Sequence, residues 1–263
     1  LKGDRRKDML IESVVKGGEK MDVVIVTGST SGIGQELVKQ LIDKDKKVFG
    51  IARGESKLEH PNYHHVLLDL AATEKVAETL EELLNNVIEE ATSLTLINNA
   101  GTIEPIGTAG EIDSNLVAKS IAVNLTAPMI LTGTFIRMTE QREIPKKVMQ
   151  ISSGAGRNGY EGWSSYCAGK AGLDRFTEAV QLEESRKTNG VKLVSIAPGI
   201  IDTNMQGKIR EASESEFALV NKFKEYKVSG QLSSAEKVAS KLIGFLESDQ
   251  YYTSEVVTDL RQL

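Results

Sequence analysis

The sequence predicts a single-domain α/β fold, a doubly wound parallel sheet of about seven strands with helices on both faces. Two observations carry this expectation. Short apolar, β-branched runs alternate with longer stretches of helical periodicity, the pattern of a parallel sheet whose crossovers are helices and run right-handed. The first such run, Val23-Val24-Ile25-Val26, ends at Thr27-Gly28 and passes through a glycine-rich turn into an amphipathic helix. The chain's 263 residues suit one domain of this class, and a hydrophobic content of 40% is enough for a sizeable core.

In chain order, strands are expected at 22–27, 47–52, 63–68, 94–98, 146–152, 191–197 and 254–258, and helices at 32–44, 73–90, 113–126, 128–141, 164–188 and 234–247. The opening strand is apolar on both faces, as a strand inside a parallel sheet must be. Ile33, Leu37, Val38, Leu41 and Ile42 form one apolar stripe along the helix that follows. On the long helix at 164–188, Leu173, Phe176, Val180 and Leu182 are apolar positions of which some must face the sheet. The segment 202–233 is polar, weakly periodic and long, and a loop of that length inside a compact domain is usually a functional lid.

Composition bounds the function. The net charge of −5 gives no basic footprint for nucleic acid. No apolar run approaches the ~20 residues of a membrane span, so no membrane partner is expected. The single cysteine, Cys167, cannot form an internal disulfide, and a cytoplasmic protein is expected. His60, His64 and His65 lie close together without a carboxylate or thiolate at ligand spacing, so they read as a loop entering a strand and no metal is expected. Residues 1–20 are mostly polar and charged and precede Met21 at the first strand; Met21 reads as the natural start, 1–20 as a leader or appended sequence, and 21–263 as the domain.

Chemistry is concentrated in two places. Gly28, Gly32 and Gly34, with Ser31 and Ile33 between them, follow the first strand and open the first helix. Strand, glycine turn and helix N-terminus together bring backbone N–H groups to a pyrophosphate, and a Cβ would hold the backbone away from it. The second place is Ser153, Tyr166 and Lys170. A tyrosine and a lysine four apart share one helix face. An ammonium at ~4 Å and an effective dielectric of ~20 favours the phenolate by about three pKa units, which would poise Tyr166 near neutrality as an acid–base group.

Taken in order, Thr27-Gly28-Ser29-Thr30-Ser31-Gly32-Ile33-Gly34, Asn98-Asn99-Ala100-Gly101, Asn124, Ser153, Tyr166, Lys170 and Pro198-Gly199 resemble the short-chain dehydrogenase/reductase superfamily. The resemblance runs from about Met21 to the C-terminus and implies a Rossmann-type domain. It further implies that Tyr166 gives a proton to a substrate carbonyl, Ser153 positions that oxygen, and Lys170 tunes the tyrosine and holds the nicotinamide ribose. Asn124 would keep a relay water in line with Lys170. Asn98, Ala100 and Gly101 would line the cofactor floor or, equally, pack the central strand; Asp69 would contact adenine or cap a turn, and Pro198, Gly199, Ile201 and Thr203 would flank the carboxamide.

The second strand ends in Ala52-Arg53, with no carboxylate for ribose hydroxyls and a guanidinium suited to a 2′-phosphate, so NADPH (NADP+) is the expected cofactor. The segments around Gly162–Asp174 and Pro198–Gln206 resemble the benzil reductase and sepiapterin reductase branch. That resemblance implies a small-molecule carbonyl substrate of the α-dicarbonyl kind, walled by Ile103, Tyr160, Trp163 and Met205, of which Trp163 and Met205 read equally well as core. Sepiapterin reductases carry a pterin-binding aspartate near the C-terminus; Thr258 or Asp259 stands there, so the benzil type is favoured. Another ketone or 3-oxoacyl reductase and a non-enzymatic NADP(H) sensor remain the alternatives, and a homodimer or homotetramer is expected by resemblance.

Overall fold

The computed structural model describes residues 20–263, so the expectation for residues 1–20 falls almost wholly outside the described part. Among the described residues, β1 (Met21–Thr27), β2 (Lys47–Ala52), β3 (Tyr63–Leu67), β4 (Ala91–Asn98), β5 (Lys146–Ile151) and β6 (Lys192–Ala197) lie in one parallel sheet. Two short strands, β7 (Ile201–Asp202) and β8 (Ser233–Ser234), pair only with each other, and β9 (Val257–Asp259) closes the sheet. The order β3-β2-β1-β4-β5-β6-β9 reverses between β1 and β4, which opens a crevice at the strands' C-terminal ends.

The helices are α1 (Gly32–Ile42), α2 (Val76–Val87), α3 (Ser114–Ile121), α4 (Ala127–Thr139), α5 (Ser164–Glu184), α6 (Asn204–Glu211), α7 (Val220–Val228), α8 (Ala235–Glu247) and α9 (Gln250–Thr253). They build two main cores, one on each face of the sheet. Leu37, Val38 and Leu41 of α1 and Leu242 and Ile243 of α8 cover one face. Leu80 and Leu84 of α2, Leu131 and Phe135 of α4 and Val180 of α5 cover the other. Leu173 is likewise buried, whereas Leu182 points outward at 68% exposure.

Several boundaries differ from expectation. The helices expected at 113–126 and 128–141 are joined: α3 runs into α4 through one π-helical turn, Ala122–Thr126. Pro128 follows this π turn directly, and the helix runs on through it. The joined stretch Ser114–Thr139 has a mean hydropathy of 1.4 over its most apolar window, long and apolar enough by composition to cross a membrane. That corrects the expectation of no such segment. Its buried polar groups are used inside the domain, Thr132 taking bonds from Asn98 and Gln150.

The segment 202–233 is not a bare loop. It folds as α6 and α7, pinned by Ile209, Phe217 and Val220, which form a third small cluster with Ile103, Trp163 and Tyr166. Phe217 is fully buried. A Cβ on Gly162 would stand 2.2 Å from the Glu216 carbonyl, so this segment lies directly on the loop before α5. The last strand starts at Val257 rather than 254 because α9 occupies the approach, anchored by the buried Tyr251 hydroxyl on the Val148 carbonyl at 2.8 Å.

β4 begins three residues earlier than expected, where Ala91 pairs with Met21. Beside that pairing Asp22 gathers Lys46 Nζ (2.5 Å), Ser93 Oγ (2.6 Å) and Thr92 Oγ1 (2.8 Å). Burial raises the Asp22 pKa, but these donors outweigh it and hold it at about 2. Because the folded value lies below the ordinary 3.8, the stabilisation is present above pH 3.8 and lost as pH falls towards 2. Discounted for partial exposure, Asp22→Asn should cost about 1 kcal/mol at neutral pH, with the gap closing below pH 4 in urea unfolding.

Candidate active site

The turn after β1 makes one wall of the crevice. Gly28 has φ +68°, and a Cβ there would stand 2.9 Å from Ala100 Cα. A Cβ on Gly34 would fall 2.2 Å from the Gly28 carbonyl. Glycine at both positions lets the turn lie against the end of β4. Thr27 Oγ1 locks it there, accepting the N–H groups of Asn99 and Ala100 at 3.0 Å each, while Asn99 Nδ2 donates to the Thr27 carbonyl at 2.9 Å.

Ser31 is exposed at the N-cap of α1, with extended backbone and no side-chain cap, and the first turn holds no acidic residue. The first N–H groups of α1 and the positive end of its dipole therefore face the crevice, while Ile33 packs behind them. Thr203, the N-cap of α6, closes the other side: its Cγ2 lies 3.3 Å from where a Cβ on Gly32 would be. A glycine cradle, an uncapped helix N-terminus and a facing threonine fit a dinucleotide's pyrophosphate. Arg53 is exposed directly after β2, and its neighbour Gly54 abuts Thr30 of the same turn, placing a cation at the rim.

Two residues with both a cofactor and a structural reading make the structural contacts. The Asn98 side chain is buried in the core and donates to Thr132 Oγ1 at 3.3 Å, so it does not line the crevice floor. Asp69 caps a turn, its Oδ1 accepting the Ala71 N–H at 3.0 Å, although the residue stays exposed at the end of β3. Pro198 and Gly199 are half-buried where β6 ends, and Ile201 is buried in β7.

Tyr166, Lys170, Ser153 and Asn124 come together at the C-terminal end of β5. Tyr166 and Lys170 share one face of α5 and are buried. Ser153 stands between β5 and a short 3₁₀ turn, Gly154–Gly156, and accepts the Ala155 N–H. Lys170 Nζ donates to the Ile151 carbonyl at 2.8 Å and lies 5.8 Å from the centre of the Tyr166 ring. Asn124, fully buried in the π turn, clamps the Thr102 peptide from both sides: its Nδ2 donates to the carbonyl at 2.8 Å and its Oδ1 accepts the N–H at 3.0 Å. A Cβ on Gly101 would stand 3.1 Å from Asn124 Oδ1 and 3.6 Å from Lys170 Nζ, so both amide and amine border the same backbone.

The electrostatics overturn the expectation of a tyrosine poised near neutrality. Burial pushes the Tyr166 phenol above its ordinary 10.0, and the Ser153 hydroxyl draws it back only in part. Burial also lowers Lys170 to about 8, against the pull of Asp174. Desolvation penalises the phenolate and the ammonium alike, and it is the largest influence on each.

The expected substrate wall divides. Trp163 is a core residue of the third cluster, stacked on Phe217 at 4.4 Å and edge-on to Tyr166 at 5.9 Å. Ile103 is buried in the same cluster. Tyr160 is half-buried beside Trp163 at 5.2 Å, and Met205 reaches over Gly101, its Cε 4.0 Å from where a Cβ would be. Phe217 and Phe223 complete this aromatic patch and went unnoticed in the sequence; the one available signal was an isolated aromatic at 217 within a run of serines and glutamates.

A crevice at the strand reversal, a glycine cradle and a serine–tyrosine–lysine group define a nucleotide-dependent oxidoreductase of the doubly wound class. The short chain dehydrogenase family profile matches residues 22–214, and the chain belongs to that family. It is 38% identical over 245 residues to a benzil reductase ((S)-benzoin forming) from Bacillus cereus, covering 90% of this chain and 98% of that one. It is 32% identical over 250 residues to the sepiapterin reductase of Mus musculus, covering 87% and 93%. A short-chain dehydrogenase/reductase structure from Burkholderia vietnamiensis superposes with a TM-score of 0.65 at 30% identity, over 94% of this chain and 100% of that one. The chain is thus a carbonyl reductase of the short-chain type, in the branch that holds benzil and sepiapterin reductases, and it works with a nicotinamide cofactor.

The lowered Lys170 value sets a stability test. A folded pKa of about 8 against an ordinary 10.5 means that burying the ammonium costs stability below pH 8, and the cost fades as pH climbs to 10.5. Lys170→Met removes that cost. Its stability relative to the parent should therefore fall by about 3 kcal/mol between neutral pH and the lysine's ordinary range, measured by urea unfolding across pH.

Proposed function

We propose that the protein is an NADPH-dependent reductase of α-dicarbonyl compounds, flat and aromatic in the manner of benzil, with Tyr166 as proton donor. The observation that carries this reading is the meeting of Tyr166, Ser153 and Lys170 under an aromatic wall. Bound NADPH supplies the hydride. The Tyr166 phenol, raised by burial, stays protonated at neutral pH, the form that reduction of a carbonyl requires. Ser153 would donate to the same carbonyl oxygen as its charge grows. Lys170 would hold the nicotinamide ribose. Asn124 would keep a relay water in line with it.

The same reading assigns Gly28, Ser31, Gly32, Ile33 and Gly34 to the pyrophosphate, Asp69 to adenine, Ala100 and Gly101 to the floor, and Pro198, Gly199, Ile201 and Thr203 to the carboxamide side. Arg53 would pair with the 2′-phosphate. Ile103, Tyr160 and Met205 would face the substrate, with Trp163 buttressing them. The benzil reductase relatives support the substrate class. Sepiapterin reduction is the second reading, and one observation weighs against it: Asp259, buried in β9, already receives Arg261 through Nε at 2.8 Å and Nη2 at 2.6 Å. A second copy of the chain is the proposed partner, on the faces where Leu116, Met129 and Leu182 stand exposed; a monomeric mass by light scattering would refute that.

The test is NADPH consumption with benzil, a simple aliphatic diketone and sepiapterin side by side. Benzil should turn over fastest and NADPH should outperform NADH. Tyr166→Phe should lower kcat by roughly 10²- to 10⁴-fold while NADPH binding is kept; near-normal turnover would discard the proton donor. Arg53→Ser should raise the KM for NADPH about 10- to 100-fold and leave that for NADH in place.

A further inference from the structure

We propose that Asp174 is a positioning residue, a buried carboxylate one helical turn beyond Lys170 that holds the lysine's charge and seats the turn carrying Ser153. The proposal rests on the reductase reading for its consequence in catalysis and on the packing around α5 for its substance. Asp174 stands four residues after Lys170 and eight after Tyr166, so the three lie along one face of α5.

Each carboxylate oxygen has a distinct place. Oδ1 accepts Ser195 Oγ of β6 at 2.6 Å, and Ser195 is fully buried. Oδ2 is buried with no hydrogen-bond partner among the described residues. It faces the 3₁₀ turn that follows Ser153: a Cβ on Gly156 would stand 2.5 Å from it and 3.0 Å from the Lys170 carbonyl. The Ser153 turn therefore rests on the stretch of α5 bounded by Lys170 and Asp174.

A clamp to Ser195 needs only one acceptor, and an asparagine would supply it without charge. Leaving a carboxylate oxygen unpaired in the interior is costly unless the charge is used. One turn back on the same face of α5 stands the Lys170 ammonium, with no direct ion pair between the two among the described residues. Around that lysine, α5 contributes Tyr166 and Cys167, β5 the Ile151 carbonyl, the 3₁₀ turn Ser153 and the π turn Asn124, none of them a carboxylate. On β9, Asp259 is occupied by Arg261, and Arg157 bonds the Thr258 carbonyl. Asp174 is the carboxylate that raises Lys170 against its burial.

The test is the titration of Lys170 itself, read by NMR on protein labelled at lysine Cε, with Lys170→Met assigning the signal. Asp174→Asn keeps the shape and the bond to Ser195, and should lower the Lys170 midpoint by about one pH unit. In benzil reduction the alkaline limb of kcat should move down with it while the KM for benzil changes little. Ser195→Ala keeps the charge and loosens the clamp, so it should lower Tm and leave the midpoint where it was. Should Asp174→Asn fail to fold, Asp174→Ser, which is smaller and retains a hydroxyl, is read in the same way. An unmoved midpoint in the Asp174 variant, or an equal shift in Ser195→Ala, overturns the proposal. The midpoint requires no turnover, so lack of activity on benzil would refute the substrate reading alone.

Discussion

The Thr27 hydroxyl holds the crevice in shape where the ladder between β1 and β4 ends. It accepts two successive N–H groups at the end of β4, and Asn99 answers by bonding the Thr27 carbonyl. This reciprocal lock carries the pairing of β1 and β4, the two strands on either side of the reversal in strand order, past their last ladder pair, Val26 with Ile97. The turn after β1, the N-terminus of α1 and the Gly101 backbone all take their positions from it. The close approaches of Gly28 to Ala100 and of Gly34 in α1 to the Gly28 carbonyl follow, because no Cβ fits at either contact.

Burial then sets the chemistry of what the lock positions. The helix spacing of Tyr166 and Lys170 is what the sequence implies, yet the ionisation is the reverse of what spacing alone would give. Both groups are almost wholly removed from water, so the charged forms of both are disfavoured, and Asp174 supplies the counterweight on the lysine side. Proximity in sequence reports which groups meet; the depth at which they meet decides which of them carries charge.

That distinction also marks what the sequence could disclose. The strands of the sheet were legible because β-branched runs must be buried on both faces, and α1 because its apolar stripe has one period. The fusion of α3 and α4 was hidden because Pro128 normally signals a break, whereas here the helix runs through it directly after a π turn. The helices α6 and α7 were hidden for a different reason. Their burial rests on three scattered apolar residues, Ile209, Phe217 and Val220, too few to make a periodic stripe. The motif left Asn98 open between crevice floor and strand packing, and strand alternation, which turns its side chain to Thr132, decides for packing.

Trp163 is the chain's sole tryptophan, and its ring lies nearly flat on Phe217, 8° from parallel. Its indole N–H is buried with no acceptor among the described residues. All indole fluorescence from this molecule therefore originates at a single ring, held dry between Tyr166 and the segment that carries α6 and α7. Displacement of that segment by even one water layer would expose the ring to solvent and redden its emission. The fold thus contains its own optical gauge of how closely that segment packs on α5, and its displacement can be timed without attaching a dye.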